Sequence, residues 1–574
     1  MRAFVAILLT MGFAASPLLA KNAGETGKED PSAAVTSAAA APDKPVTVKP
    51  ESPAIESEMQ DLRSLVEEQR AELEAQRAAL KAQQLKMEAL EEKFGAKSSE
   101  LAATPSATSA AISAATLGAS PAVTLANPAA NPAQNGKDEV SPLQLKVGSA
   151  YITPVGFMDF TSVWRDHDAG SGIGTNFGGI PYGNTFNNNL SEFRFSMQNS
   201  RIGFRVDAMV KGAHVIGYME SDYLGGPPPG NFAVSSNSNT LRSRLYWIDV
   251  RKDKWEILGG QTWSLMTPNR SGISPLPGDL FFSQDIDVNY QAGLVWGRIP
   301  ELRFVYHPSN KVAFAVALES PEQYVGGSAG GGTVVFPATL ASLNGNQLNN
   351  GGTTLGVPNV APDIIAKLAF DPSSKFHIEL GGIERQFKVW NPSPAPDGVT
   401  FSKTGGGGFV NLNFELFKGF RLLTNNYWSS GGGRYIFGQA PDLIVRNDGS
   451  LSPIKSGSTV SGFEFTHKNT LLYAYYGGIY IQRNTALDTN GTTPIGYGFA
   501  TSGSGQNRAI QEETIGFNQT IWKDAKYGAL NFMGQYSYLS RDPWATLNPS
   551  DAHLNMVFFN LRYTLPGSAP TLGK

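Results

Sequence analysis

Arginines and acids recur along three neighbouring strand-like segments of this chain, in alternation with apolar residues. Side chains two positions apart in an extended segment share a face, so these charges are expected on one side. The residues on that side are Glu192, Arg194, Arg201, Arg205, Asp207, Glu220, Asp222, Arg242 and Arg244. Arginines that face acids across an opening create a transverse field, which acts on passing ions and polar solutes. The alternative, that each charge is a solvated wall residue, stays open for every one of them.

A connection over residues 265–288 carries a second group of charges. Its three prolines and its adjacent phenylalanines, Phe281 and Phe282, are unusual for a freely exposed loop tip. Packed inside a barrel, the connection would bury both rings and turn its carboxylates toward the arginines. These carboxylates belong to Asp279, Asp285 and Asp287. We therefore predict that this connection narrows the opening, and that its acids and the charges above line a pore or set its selectivity.

No residue pattern indicates catalysis or a bound cofactor. The chain has no cysteine, and its six histidines are scattered without the spacing of metal ligands, so neither a metal site nor any cofactor is predicted. A G-x-S-x-G match around Ser328 lies in a glycine-rich stretch without the strand-to-helix turn that a serine nucleophile needs. The chain is therefore predicted not to be an enzyme. The alternative is a hydrolase that uses Ser328 as its nucleophile. The net charge of -3 gives no basic field for nucleic acid.

The elements that would hold these charges are strands with one apolar and one polar face. In the last such segment, 554–565, Val557, Phe559, Leu561 and Tyr563 oppose Asn560, Arg562 and Thr564. This dyad pattern continues through roughly the last four hundred residues, which is typical of a transmembrane barrel that faces lipid outside and water inside. A soluble β-sandwich or propeller would share the alternation. It would not need the aromatic residues at strand ends, which suit interfacial girdles: Trp164, Tyr223, Trp428, Tyr480 and Trp522.

The number of strands follows from alternating long and short connections. Long connections are predicted at 165–190, 224–240, 265–288, 320–360, 390–407, 431–456, 483–507 and 542–552. Short turns are predicted at 211–212, 253–254, 308–311, 371–372, 418–419, 467–469 and 523–526. Together they imply about 16 antiparallel strands with both termini on the periplasmic side. Residues 291–307 are kept as one strand with a bend at Pro300, and a phase change near 198–201 predicts a β-bulge.

The N-terminal part has a different organisation. Residues 1–20 resemble a secretory signal peptide, with a retained anchor as the alternative, and 21–54 form a disordered leader. Residues 55–95 predict an α-helical coiled coil of two or three strands, and a lone solvated helix is the alternative. Its a positions are Met59, Val66, Leu73, Leu80, Met87 and Phe94. A linker rich in Ala, Ser and Pro covers 96–149, the barrel covers 150–565, and a C-terminal tail covers 566–574.

Several motifs resemble trimeric outer-membrane porins of the DcaP type. The stretch L-R-S-R-L-Y-W-I-D-V from Leu241, followed by G-Q-T-W-S from Gly260, is similar to that family's R-x-R and G-Q-T-W-S. The resemblance covers roughly 150–565. It implies homotrimers of 16-stranded barrels, a periplasmic coiled coil, and uptake of small solutes with a preference for organic anions. Arg242 and Arg244 match the motif by position, whereas the chain departs from the pattern by continuing from Pro566 to Lys574.

These observations lead to one hypothesis and a rival. The hypothesis is a passive porin in the outer membrane of a Gram-negative-type bacterium, with outer-membrane lipid, small solutes and two further copies of the chain as partners. Its coiled coil would aid trimer assembly or tether the barrel within the envelope. The rival is a structural anchor whose coil and linker bind the cell-wall layer, the peptidoglycan.

Overall fold

A computed structural model describes residues 142–226, 237–280, 284–327, 331–351, 357–358, 361–393, 397–503, 505–546 and 552–567. The predicted signal peptide, leader and coiled coil lie outside these residues, as do most of the predicted linker and the end of the predicted tail. Among the described residues, no helix has the length and apolar composition needed to cross a membrane.

Twenty-two strands alternate with connections along the described chain. They are β1 Leu145–Val147, β2 Ala150–Arg165, β3 Glu192–Ser196, β4 Arg201–Val210, β5 Ala213–Asp222, β6 Arg242–Lys252, β7 Trp255–Trp263, β8 Arg298–Ser309, β9 Val312–Glu319, β10 Asp363–Ser373, β11 Phe376–Asn391, β12 Val399–Phe417, β13 Phe420–Ser430, β14 Leu443–Val445, β15 Leu451–Pro453, β16 Lys455–His467, β17 Thr470–Ile481, β18 Asn484–Leu487, β19 Pro494–Tyr497, β20 Asn507–Asp524, β21 Gly528–Pro543 and β22 Ala552–Thr564. Short helical turns lie at Phe177–Gly179, Asn187–Asn189, Pro277–Asp279, Ala338–Leu340, Leu343–Asn346 and Gly433–Tyr435.

The main sheet closes on itself as an antiparallel barrel of 16 strands, as predicted. The strands β3 and β4 share one position, and β14, β15, β18 and β19 form two separate hairpins outside the barrel wall. Closure occurs where β2 pairs with β22, from Phe157 opposite Thr564 to Arg165 opposite Met556. Below that point β1 continues the sheet beside β2, within the segment that the sequence predicts as linker. A closed sheet leaves no long unpaired edge, which is what the interior of a bilayer requires.

Alternation along each strand separates an apolar outer face from a more polar inner face. In β22, Phe559 is 49% exposed on the outside, whereas the adjacent Phe558 is fully buried on the inside. Asn560 is also buried and donates hydrogen bonds to Asp159 and Thr161 of β2. The strand faces predicted for Phe559, Leu561 and Asn560 are therefore confirmed, because a two-residue period leaves no other arrangement.

The predicted bulge lies between β3 and β4. Residues 197–200 face only residues 158–160 of β2, so one extra residue is inserted there. Gly156 of β2 has a φ of +138°, and a Cβ on it would collide with the carbonyl of Arg201. The hydroxyl of Ser200 accepts a hydrogen bond from the Asp159 backbone N–H at 3.0 Å. The bulge restores the inward direction of the arginines that follow it.

Three predicted boundaries were wrong. The predicted connection 390–407 is much shorter, because β11 runs to Asn391 and β12 begins at Val399. Glycines 405–408 belong to β12, where Gly405 leaves space for the ring of Phe387. The predicted strand 291–307 begins only at Arg298, and Pro300 fits within it as predicted. The turn predicted at 371–372 lies after Ser373, since β10 continues through Pro372.

The long connections pack together over one end of the barrel, which we call the outer end. Their shared apolar core, the outer cap, contains the buried residues Ile173, Phe177, Ile180, Val325, Val334, Leu340, Ile436, Leu443 and Tyr497. Val335 bridges to Gly496, and the Ala338 N–H donates to Asp488 at 3.1 Å, so the fourth and seventh long connections are joined directly. The outer cap therefore gives these loops a fixed arrangement above the lumen.

Candidate functional site: the constriction inside the barrel

The connection between β7 and β8, residues 264–297, crosses the barrel interior. We call it the inward loop; its residues 281–283, which include Phe281 and Phe282, lie outside the described residues. Its backbone N–H groups donate to side chains on strands far around the barrel. Asn269 donates to Glu379 of β11 at 3.0 Å, and Ala292 donates to Glu512 of β20 at 2.7 Å. The sequence-based prediction that this connection enters the barrel therefore agrees with the structure.

A two-pronged ion pair fastens the middle of the inward loop to the opposite wall. The guanidinium of Arg270 donates to both oxygens of Glu464 on β16, at 3.0 and 3.1 Å. The hydroxyl of Tyr475 on β17 donates to the same carboxylate at 3.0 Å. Charge-assisted, bidentate pairs of this kind hold a specific geometry as well as adding energy. Neither Arg270 nor Glu464 was singled out from the sequence, since their pairing depends on the path of the loop.

The arginines of β6 meet the acids of β5 on the wall beside the inward loop. Arg244 donates to Glu220 at 2.7 Å and to Asp222 at 2.6 Å. The guanidinium of Arg242 donates one hydrogen bond to each carboxylate oxygen of the same Asp222, at 3.0 and 2.7 Å. The two arginines differ in access, because the side chain of Arg244 is 2% exposed and that of Arg242 is 37% exposed. Arg242 is therefore partly open to solvent, whereas Arg244 serves mainly to hold the two carboxylates.

Two further arginines complete this wall. Arg201 lies 3.7 Å from Glu220 and donates a hydrogen bond of 3.4 Å to the Tyr290 hydroxyl of the inward loop. Arg298, at the start of β8, stacks over the rings of Trp263 and Trp296 at 5.4 and 5.6 Å. Its guanidinium has no hydrogen bond or ion pair to any residue that the structure describes. Arg298 was not predicted from the sequence, although arginine among tryptophans is a pattern typical of cation–π contacts.

We call Arg201, Arg242, Arg244 and Arg298 the arginine cluster. Its four positive charges face two carboxylates, those of Glu220 and Asp222, which leaves a net charge of +2. Burial alone would raise the pKa of Tyr290, but the charges of Arg201, Arg244 and Arg298 lower it. The phenol therefore lies among positive charges where the inward loop meets the wall. A low-dielectric surround strengthens such a field compared with open water.

The remaining predicted arginines lie away from this cluster. Arg205 is buried in a bidentate pair with Asp207, both bonds measuring 2.8 Å, and His214 contacts the same carboxylate at 3.0 Å. Arg194 on β3 is half-buried and has no ion pair within the described part of the chain. Glu192 pairs instead with Arg165 at 2.6 Å. The sequence-predicted charges thus fall into separate groups along the wall.

The three acids of the inward loop have different surroundings. Asp287 is buried and accepts hydrogen bonds from the backbone N–H groups of Thr175 and Asn289. The bond from Thr175 fastens the inward loop to the first long connection. Burial outweighs these bonds and raises the pKa of Asp287. Asp279 accepts a hydrogen bond from the Ser274 hydroxyl at 2.7 Å, and Asp285 is half-buried. Asp279 and Asp287 therefore stabilise the loop itself and form no ion pair with the arginine cluster.

The inward loop should be held more firmly at acidic pH. Burial raises the pKa of Asp279 to about 6, despite the Ser274 hydrogen bond and the charges of Arg251 and Arg205. An acid with a raised pKa in the folded state favours folding at low pH, and that contribution is lost as pH rises through 6. We expect current noise to fall between about pH 7 and about pH 5 in the wild type, but not in Asp279→Asn. An equal change in both proteins would assign the effect to a group other than Asp279.

Among the described residues, no group of three or more histidine, aspartate and glutamate side chains is placed to hold a metal ion. The inward loop and the arginine cluster place separated positive and negative groups inside the barrel. In a channel, such groups act on the solutes that enter it.

Comparison with known proteins shows the fold that this site belongs to. Neither a family model nor a curated protein matches the sequence. The crystal structure of the outer membrane channel DcaP of Acinetobacter baumannii matches with a TM-score of 0.54 and 16% identity, covering 74% of this chain and 100% of that chain. An anion-selective porin from Comamonas acidovorans has a TM-score of 0.40 and 12% identity, with coverage of 72% and 99%. The chain therefore has a DcaP-like barrel fold, which confirms the resemblance at that level.

Proposed function

We infer that the chain is a passive outer-membrane porin, through which small hydrophilic solutes diffuse and anions pass more readily than cations. The observation that carries this proposal is the arginine cluster at the inward loop, with four arginines against two acids. Arg242 is the member most open to solvent, and Arg298 has no acidic partner among the described residues. A fixed positive charge beside the inward loop raises the local concentration of anions.

The outer surface supports a location in a bilayer. Large apolar side chains cover the outward face of strands all around the barrel, among them Met158, Phe195, Ile248, Leu368 and Leu561. In water such a surface would drive association, whereas a bilayer covers it without cost. An even number of strands puts both termini of the barrel at the end with the short turns, and we assign that end to the periplasmic side.

The oligomer and the N-terminal segment complete the proposal. The resemblance to trimeric porins leads us to assign a homotrimer. The predicted coiled coil at 55–95 would then aid trimer assembly or tether the barrel to the envelope, including its peptidoglycan layer. Its repeated glutamines at d positions fit a role in setting register and copy number.

The purified, refolded protein should conduct in a planar bilayer with closures in groups of three and a reversal potential that favours the anion. Replacing Arg242 and Arg298 together by glutamine removes two of the four positive charges, so net charge at the cluster falls from +2 to zero. We expect the anion-to-cation permeability ratio to fall several-fold, with conductance changed less. The measurement is the reversal potential across a salt gradient.

Lys523→Gln is the matched control, because it removes an exposed positive charge at the short-turn end, far from the cluster. It should leave the reversal potential close to that of the wild type. A double glutamine variant with unchanged anion preference would contradict the assignment of selectivity to this wall.

A structural anchor is the second candidate, and the outer cap favours it. Several long connections share one buried apolar core above the lumen, so the outer opening is partly covered. A folded protein that carries little or no current would support the anchor and would direct attention to peptidoglycan binding by the N-terminal segment.

A further inference from the structure

Several buried N–H groups at the arginine cluster have no hydrogen-bond acceptor. They are Nη2 of Arg244, Nε of Arg201 and the indole Nε1 of Trp296, and none has a partner among the described residues. Arg244 is 2% exposed and Trp296 is 5% exposed, so bulk water does not satisfy these atoms. A buried polar group without a partner is costly, and all of these groups are donors. A ligand that supplies several acceptors would complete this wall.

The donors lie close to one another. The guanidiniums of Arg244 and Arg298 both lie over the ring of Trp263, at 5.7 and 5.4 Å. Arg298 is also 5.6 Å from the centre of the Trp296 ring, and that ring packs against Trp263 at 5.5 Å. These contacts bring donors from β6, β8 and the inward loop into one group.

Arg201 joins this group from β4. Its guanidinium donates to the hydroxyl of Tyr290 at 3.4 Å, and the Tyr290 ring packs edge-on against Trp296 at 5.3 Å. Arg201, Arg244, Arg298 and Trp296 therefore approach from three strands and the inward loop. A ligand bound among them would receive hydrogen bonds from several directions.

The carboxylates near the cluster are already engaged. Both oxygens of Asp222 accept from arginines of β6, and those of Glu220 accept from an arginine and a tyrosine. Asp285 of the inward loop lies near β17 and β21, to which the backbone N–H groups of Gln284 and Ile286 donate. The acceptor that fits the open donors must therefore come from a bound solute.

We propose that the arginine cluster binds a phosphoryl group with two negative charges, carried by a phosphate monoester or by free phosphate. This inference rests on the proposed function, since it names the solute class for the same site. The net charge of +2 at the cluster matches such a dianion. A phosphoryl group presents three oxygens to donors in different directions, whereas a carboxylate presents two oxygens in one plane.

Arg298 gives access to the buried donors. It is half-buried, and among the described residues only the rings of Trp263 and Trp296 contact its guanidinium. Its side chain can therefore shift toward an entering phosphoryl group without breaking an ion pair. The bound group then accepts from Arg298, from the indole of Trp296 and from the open nitrogen of Arg244. The surrounding rings exclude water, which strengthens these charge-assisted bonds.

Isothermal titration calorimetry of the detergent-purified full-length protein, in a buffer without phosphate, tests the proposal. The three ligands are glycerol phosphate, inorganic phosphate and succinate. Succinate carries the same charge but divides it between two carboxylates. We expect the better of the two phosphates to bind at least about fivefold more tightly than succinate. Which phosphate binds more tightly identifies the source of the phosphoryl group.

Two variants test the site. Trp296→Phe removes one N–H donor and keeps a ring and the charge of the cluster, so phosphate should bind about three- to tenfold more weakly. Arg298→Gln should weaken binding at least about tenfold. Trp428→Phe is the matched control, because this tryptophan is 64% exposed on the outer face of the barrel. It should bind phosphate like the wild type. Heat-modifiable gel migration checks that each variant is folded.

Equal affinity of the wild type for succinate and both phosphates would overturn the phosphoryl assignment. Unchanged phosphate affinity in Trp296→Phe would overturn the site, even if Arg298→Gln binds more weakly, because charge alone would then explain the loss. Planar-bilayer current on the same preparations separates this inference from the proposed function. An anion-selective current without phosphate binding overturns this inference alone. Phosphate binding without any current contradicts the porin and leaves the phosphoryl site in place.

Discussion

Removal of the inward loop should raise single-channel conductance several-fold. The loop occupies the lumen from the β7–β8 wall to the far side, where Asn269 and Ala292 bond to Glu379 and Glu512. Since β7 and β8 already pair from Trp263 to Arg298, a short glycine–serine turn can replace residues 266–295 without separating the strands. Conductance in a planar bilayer at high salt is the measurement, because high salt screens surface charge and reports mainly the open cross-section.

A point substitution that only loosens the inward loop should raise conductance by less than the deletion does. Arg270→Gln removes the two-pronged bond to Glu464 and keeps the rest of the loop. We expect more current noise and a conductance between those of the wild type and the deletion. Ser271→Ala serves as the matched control, since this neighbouring loop residue is exposed and its hydroxyl has no hydrogen bond to any described residue. Unchanged conductance in the deletion would place the narrowest section in the outer cap instead.

The fold could be predicted because one simple pattern, the alternation of apolar and polar residues, repeats in strand after strand. Alternation in β22 identified the outward Phe559 and the inward Asn560, and the phase change before Arg201 located the bulge. The count of 16 strands came from the alternation of long and short connections, which tolerates errors at individual boundaries. The boundary error at 390–407 arose because a glycine run usually marks a loop, whereas these glycines lie within β12, where Gly405 makes room for the ring of Phe387.

The candidate site was predictable only in part. Alternation along β6 predicted that Arg242 and Arg244 point inward. Their different exposure could not be predicted, because it depends on which carboxylates lie opposite. Arg298 was not predicted, because a single strand over residues 291–307 hides the transition from the inward loop to β8. Contacts between Arg270 and Glu464 join residues 194 positions apart. Such pairs depend on the path of the chain, so local sequence carries no signal for them.

Replacement of Arg244 by methionine should destabilise the barrel by about 3–5 kcal/mol, because it leaves two buried carboxylates without their shared cation. Glu220 and Asp222 are themselves buried, so water cannot readily replace the lost partner. The measurement is the urea midpoint for unfolding in detergent micelles, with folded protein identified by its gel migration. Arg242→Gln is the matched control at the neighbouring inward arginine. Its side chain reaches solvent and Arg244 still holds Asp222, so a loss below about 1 kcal/mol is expected.

A triple variant separates stability from selectivity at the same wall. Arg244→Met combined with Glu220→Gln and Asp222→Asn removes the buried ion pairs together, and most of the lost stability should return. The cluster would then hold Arg201, Arg242 and Arg298 without a carboxylate, so its net charge rises from +2 to +3. The preference of the pore for anions should therefore increase. If the triple variant stays as unstable as Arg244→Met, the arginine stabilises the wall by its packing against Trp263, and its charge pairs matter less.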